Sequence, residues 1–88
     1  MYLHIGQDFL VNTKQIIGVF DLDTSSISAH TRAYLAKAQQ ENRVVEVSAD
    51  LPKSFIVTSE KKKMVYISPI SSSTLLKRSE LSEEGMGL

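Results

Sequence analysis

The segment from Tyr66 to Arg78, Tyr-Ile-Ser-Pro-Ile-Ser-Ser-Ser-Thr-Leu-Leu-Lys-Arg, forces a change of secondary structure within one short run. Met64 to Ile67 is rich in β-branched and aromatic side chains, which fill a pleated, half-buried surface, and it reads as a strand. Pro69 has no backbone N–H and cannot continue a ladder, so the strand ends near Ser68. Ser71, Ser72 or Ser73 can then accept from the free N–H groups of a first helical turn, whose apolar side begins with Leu75 and Leu76. By itself this is a strand-to-helix junction. The rest of the chain decides the architecture.

Upstream, Tyr2 to Ile5 reads as a short strand ended by Gly6, and Phe9 to Val11 begins a second. Asn12-Thr13-Lys14-Gln15 is a polar break before the apolar run Ile16 to Phe20, where Gly18 points to a bulge or a close backbone approach. Asp21 to Ser26 is dense in capping residues and marks a helix start. From Ile27 the hydrophobic period changes: Ile27, His30 or Thr31, Tyr34, Leu35 and Ala38 fall on one stripe of an amphipathic helix. Asn42 is its stop, with Arg43 beside the last carbonyls. Val44 to Val47 is a strand with Val45 and Val47 facing the core, and Asp50-Leu51-Pro52 is a turn. Ser54 to Ser59 and Met64 to Ser68 form a hairpin around the charged tip Glu60-Lys61-Lys62-Lys63. The predicted order is β-β-β-α-β-β-β-α. This is an α+β domain over residues 1–78, a small mostly antiparallel sheet covered by one main helix, with a short C-terminal helix. Residues 79–88 form a loose, flexible acidic tail that folding does not need, because Gly85 and Gly87 disfavour order.

At 88 residues the chain is one small domain, with 42% hydrophobic content, too high for a disordered one. Small cores are commonly reinforced by disulfides, metals or oligomerisation. There is no cysteine, and isolated His4 and His30 do not make a zinc site, so self-association is the remaining stabiliser and no cofactor is expected. No membrane span or signal peptide is legible, which predicts a cytoplasmic protein. The formal net charge is zero but unevenly spread. Residues 1–78 hold ten bases against seven acids, while Glu80, Glu83 and Glu84 make the tail acidic. Such a tail is commonly solvated, and it can also screen the body's basic loops.

Four separated stretches carry a family resemblance. They are Met1-Tyr2-Leu3-His4-Ile5-Gly6-Gln7-Asp8-Phe9; Val11-Asn12-Thr13-Lys14 with Ile16-Ile17-Gly18-Val19-Phe20-Asp21; Pro52-Lys53-Ser54 leading into Ile56-Val57-Thr58; and Ser68-Pro69-Ile70-Ser71-Ser72-Ser73-Thr74-Leu75. In this order and spacing the chain resembles the RemA/RemB family of extracellular-matrix regulators of Gram-positive spore-formers, and within it the RemB-like branch. The resemblance implies cytoplasmic control of biofilm-matrix gene expression. It also implies, from the RemA branch, a ring-shaped homo-oligomer that binds double-stranded DNA. RemA-like members carry DNA-contacting arginines in the turn after the first strands and an arginine pair in the turn before the hairpin. The matching positions here read Lys14-Gln15 and Leu51-Pro52-Lys53. Lysine keeps the charge but lacks the planar fork that reads guanine or clamps a phosphate in two places.

Catalysis finds no support, because neither histidine stands in a nucleophile–base–orienter pattern and the four glycines match no phosphate loop. His4 reads as a residue of a strand's solvent face and His30 as a packed or interface histidine. For nucleic acid, the candidate contacts are Lys14 and Gln15 in the first turn and Lys53 and Ser54 after the Pro52 turn. Lys61 to Lys63 read as a solubilising tip that discourages edge pairing and points away from those two turns. Self-assembly through the short edge strand Tyr2 to Ile5, with Tyr2, Phe9 or Tyr66 as anchors, is the matching expectation for a ring, although Phe9 reads better as core. Two functions follow: a DNA-associated regulator, or a module that binds itself or a partner regulator protein and no DNA.

Overall fold

A computed structural model describes residues 1–22 and 28–87, with side chains as far as Ser79. Six strands and two helices run in the order β1 (Tyr2–Gly6), β2 (Phe9–Asn12), β3 (Ile16–Asp21), α1 (Ala29–Gln40), β4 (Val44–Glu46), β5 (Ser54–Thr58), β6 (Val65–Ser68) and α2 (Ser72–Gly87). A single 3-10 turn, Thr13–Gln15, separates β2 from β3. The fold is α+β, with the expected order of elements.

The strands divide into two sheets. β1 and β2 form an antiparallel hairpin of their own, and the main sheet has the order β3-β5-β6-β4. In it β5 is antiparallel to both neighbours, whereas β4 lies parallel to β6. The main sheet has α1 over one face, as expected, and the β1–β2 hairpin with α2 over the other. β5 is buried at every position, so neither of its faces meets water. Because side chains alternate across a strand, Phe55 and Val57 point one way and Ile56 the other. Phe55, Val57, Val65 and Ala38 make one core with Leu22, Leu35, Val44 and Ile67, beneath α1. Ile56 joins Leu3, Ile5, Val11, Val47 and Leu75 in a second core beneath the β1–β2 hairpin and α2.

Local signals behave as their chemistry requires. Asn42 ends α1 in the left-handed region at φ 58°, and the Arg43 N–H returns to the Ala38 carbonyl at 2.8 Å. Ser28 caps the described start of α1, its hydroxyl accepting from the Thr31 N–H at 3.1 Å, while Asp23 to Ser26 of the predicted capping stretch lie outside the described residues. Residues 23–27 lie outside the described residues, Ile27 of the predicted stripe among them. On that stripe Ala38 is buried and Leu35 packs on the core, while Tyr34 is 36% exposed and receives Arg43 over its ring at 5.7 Å. Ser71 caps α2 through the Thr74 N–H at 3.3 Å. The ladder irregularity predicted at Gly18 falls between Ile16 and Gly18. A Cβ at Gly18 would lie 2.7 Å from the Phe20 ring, so glycine leaves that ring the room to stack on Phe55 at 4.9 Å. Gly6 sits at φ +130°, with Val47 and Pro69 against the space a side chain would need.

Helix α2 continues past Ser79 to Gly87, through the segment that reads from sequence as a loose tail. Before that point Arg78 fastens the helix to β1, its Nη1 donating to the His4 carbonyl at 3.1 Å. Among the described residues no helix is long and apolar enough to cross a membrane.

Candidate nucleic-acid interface

Each candidate lysine takes its place from a backbone turn. In the 3-10 turn, the Asn12 side chain accepts from the Lys14 N–H at 3.0 Å, and the Thr13 N–H donates to the Met1 carbonyl at 2.9 Å. These bonds satisfy the turn's free donors and leave Lys14 and Gln15 exposed on a fixed backbone. The Gln15 carbonyl accepts from the Ser59 N–H at 2.7 Å, tying the turn to the start of the hairpin tip. No ion pair to Lys14 occurs among the described residues, where the salt bridge formed is Arg43 with Glu41.

Lys53 sits in a different setting. Its N–H donates to the Ser68 carbonyl at 2.9 Å and its carbonyl accepts from the Leu22 N–H at 2.8 Å, so its backbone is bound on both sides. Its side chain is exposed, but Ser54 beside it is fully buried, and the Ser54 hydroxyl donates to the Ile70 carbonyl at 2.7 Å. That hydroxyl serves the junction between β5 and the approach to α2 and offers no donor at the surface.

The ladder fixes where these residues stand. Ile16 pairs with Thr58 and Asp21 with Ser54, so β3 and β5 run side by side in opposite directions. Lys14 therefore lies at the Thr58 end and Lys53 at the Ser54 end, separated by roughly 15 Å of strand. The structure does not bring Lys14 and Lys53 together within a subunit. It brings Lys14 to the hairpin tip, which corrects the expectation that Lys61 to Lys63 point away from both turns; the tip is remote from Lys53 alone. No local pattern of residues signals this, since it depends on β3 choosing β5 as its neighbour.

The tip has an internal order. The Glu60 carboxylate accepts from the Tyr66 hydroxyl at 2.9 Å and from Thr58 at 3.3 Å, and so is turned back along the hairpin. Burial pushes the Tyr66 phenol up to about 12, with Glu60 adding to the shift through its hydrogen bond and its charge. Lys61, Lys62 and Lys63 are all exposed.

Elsewhere, Ile17, Phe20, His30, Tyr34, Phe55 and Val57 surround an apolar hollow of about 340 Å³ between β3 and α1. Of the expected anchors, Tyr2 is 62% exposed, Phe9 lies at the boundary at 37% rather than in the core, and Tyr66 is half-buried.

Fold and surface together define a small α+β domain built around the buried strand β5, with exposed lysines on the turns at both ends of the β3–β5 ladder. A family model described as RemA-like, Extracellular matrix regulatory protein A-like, matches residues 2–78. The chain is also 40% identical over 84 residues to Extracellular matrix regulatory protein B of Bacillus subtilis (strain 168), covering 96% of each. The chain belongs to the RemA-like family, on its RemB-like side, and is with it an extracellular-matrix regulator.

Proposed function

We propose that this protein controls biofilm-matrix gene expression from the cytoplasm as a non-enzymatic, ring-shaped homo-oligomer that meets double-stranded DNA through its phosphates. The observation that carries this reading is Lys14, an exposed ammonium on a rigidly bonded turn with no ion pair among the described residues. A ring repeats that charge once per subunit, and multivalency raises a modest single-site affinity. Lys53 faces the opposite end of the sheet and adds contacts only where the ring's curvature brings a neighbouring subunit's end to the duplex. With lysine in place of the family's arginines, binding is directed to the backbone more than to base edges.

Equilibrium binding to a promoter duplex and to an unrelated duplex, beside light scattering at micromolar concentration, tests the reading. The expected result is an oligomer that binds both duplexes comparably at low salt. A K14R/K53R variant should bind more tightly, because a guanidinium matches phosphate oxygens better. A monomer, or an oligomer silent toward both duplexes together with its arginine variant, overturns it.

A second reading, a self-assembling module that binds a partner regulator and no DNA, is favoured by β3. It is an edge strand of the main sheet and carries exposed Ile17 and Phe20 at 56% and 46%. The occupant this reading assigns to that edge is a second copy of the chain.

A further inference from the structure

We infer that Lys61, Lys62 and Lys63 join Lys14 in one cationic end of each subunit, and that this end seats the phosphodiester backbone of duplex DNA. The inference rests on the DNA reading above and specifies its contact surface. Three observations carry it.

The first is placement. The Ser59 N–H bonds the Gln15 carbonyl at 2.7 Å, so the turn that bears Lys14 and the tip that bears three lysines are adjacent backbone segments. The second is charge. Glu60 is the acid of the tip, and its carboxylate is turned inward to Tyr66 and Thr58 while the lysines face solvent. The far end bears the single lysine Lys53, three residues after Asp50 in the chain and next to Ser54, the ladder partner of Asp21. Of the two ends, the Lys14 end therefore holds the larger positive charge, four lysines against Glu60, and there counterions condensed on a duplex would be displaced.

The third is conformation. Lys63 occupies the left-handed region at φ 50°, where a residue with a Cβ is disfavoured and glycine or asparagine is at home. The tip is also braced: the Lys63 N–H closes the turn on the Glu60 carbonyl at 2.6 Å, and Arg43 Nη1 donates to the Lys63 carbonyl at 3.1 Å. Arg43 is itself paired with Glu41 at 2.8 Å. A tip whose task is solubility needs charge of either sign and no bracing. A lysine held at a strained position by a buttressed arginine fits a surface whose shape is used.

The test measures duplex affinity across a salt series for the full-length oligomer and four variants: K14Q, K53Q, K61Q/K62Q/K63Q and K63G. The triple variant should bind about tenfold or more weakly, and its log–log salt slope should be shallower by about 0.9 for each phosphate it no longer neutralises. K14Q should shift both readouts in the same sense, K53Q less than either. K63G removes a charge while relieving the backbone, so it should bind more weakly with a urea midpoint unchanged or raised, a split that a structural role for Lys63 would not produce. Light scattering on each variant should give the wild-type mass. If wild type binds and the triple variant matches it in affinity and slope, the lysine tip is a solvated turn and the inference falls while the DNA reading stands. If wild type binds no duplex at low salt, the inference and the DNA reading fall together, and loss of polyglutamate capture by the tip variants then assigns the end to an acidic protein.

Discussion

The two ends of the β3–β5 ladder carry similar sequence, a polar turn with one lysine, and do opposite things. At the Ser54 end the polar groups are committed to the fold: Lys53 is bonded through both backbone groups, Ser54 to Ile70, and the buried Ser68 hydroxyl to the Ile5 carbonyl at 2.6 Å. At the Thr58 end the backbone is bonded with equal care, yet the side chains of Lys14, Gln15 and Lys61 to Lys63 are left to solvent. Exposed lysines on a satisfied backbone suit the duplex contact proposed above, whereas the buried, bonded hydroxyls of Ser54 and Ser68 hold a joint.

The largest effect that would sharpen this contrast is at the joint. Ser68→Ala removes a buried hydroxyl that donates to Ile5 and accepts from the Ile70 N–H at 3.0 Å, leaving both partners unsatisfied. It should cost about 3 kcal/mol in urea denaturation, since each orphaned group costs roughly 1–3 kcal/mol. A loss below ~1 kcal/mol would mean that the joint is not what holds this end. Ser54→Ala strands one carbonyl and should cost about 1.5 kcal/mol, with duplex binding unchanged once the protein is folded.

At the other end, Tyr66→Phe removes the bond to Glu60 and should cost about 1 kcal/mol. It also carries a pH signature. The Tyr66 phenol is raised to about 12 in the folded state against about 10 unfolded. The folded protein therefore holds the proton more tightly, and the stabilisation is complete below about pH 10 and lost as pH rises toward 12. Wild type should lose that increment in alkaline denaturation curves, and Tyr66→Phe should lack it. The smallest effect is expected from removing residues 80–88, outside both ends. The thermal midpoint should move by less than about 2 °C, a change under ~0.5 kcal/mol for a domain this size. A drop of several degrees would show that α2 beyond Ser79 packs on the subunit or a neighbour.

Features set by neighbours along the chain are legible in the sequence alone. Asn42 at the end of α1, a serine cap for α2 among Ser71 to Ser73, the irregularity at Gly18 and the hairpin with its charged tip each follow from local chemistry along the chain. Strand order is not legible in this way. Ser54 to Thr58 can be read as a strand, but its burial on both faces, the parallel pairing of β4 with β6 and the separate β1–β2 hairpin are choices among distant partners. The candidate site inherits that gap. Lys14 and Lys53 are recognisable one by one as turn lysines, while their separation, the commitment of the Ser54 hydroxyl to Ile70 and the nearness of the lysine tip depend on the pairing of β3 with β5.

Lysine acetylation footprinting of the oligomer with and without a short duplex tests the cationic end most directly, because it reads every lysine in one experiment and does not depend on ring size. Duplex at low salt should protect Lys14, Lys61, Lys62 and Lys63, and that protection should fade as salt rises. Lys37, exposed on α1, should react alike in both samples, and Lys53 should be protected weakly by comparison. Protection concentrated at Lys53, with Lys14 and the tip reacting as freely as they do without DNA, would contradict a duplex seated at the Lys14 end.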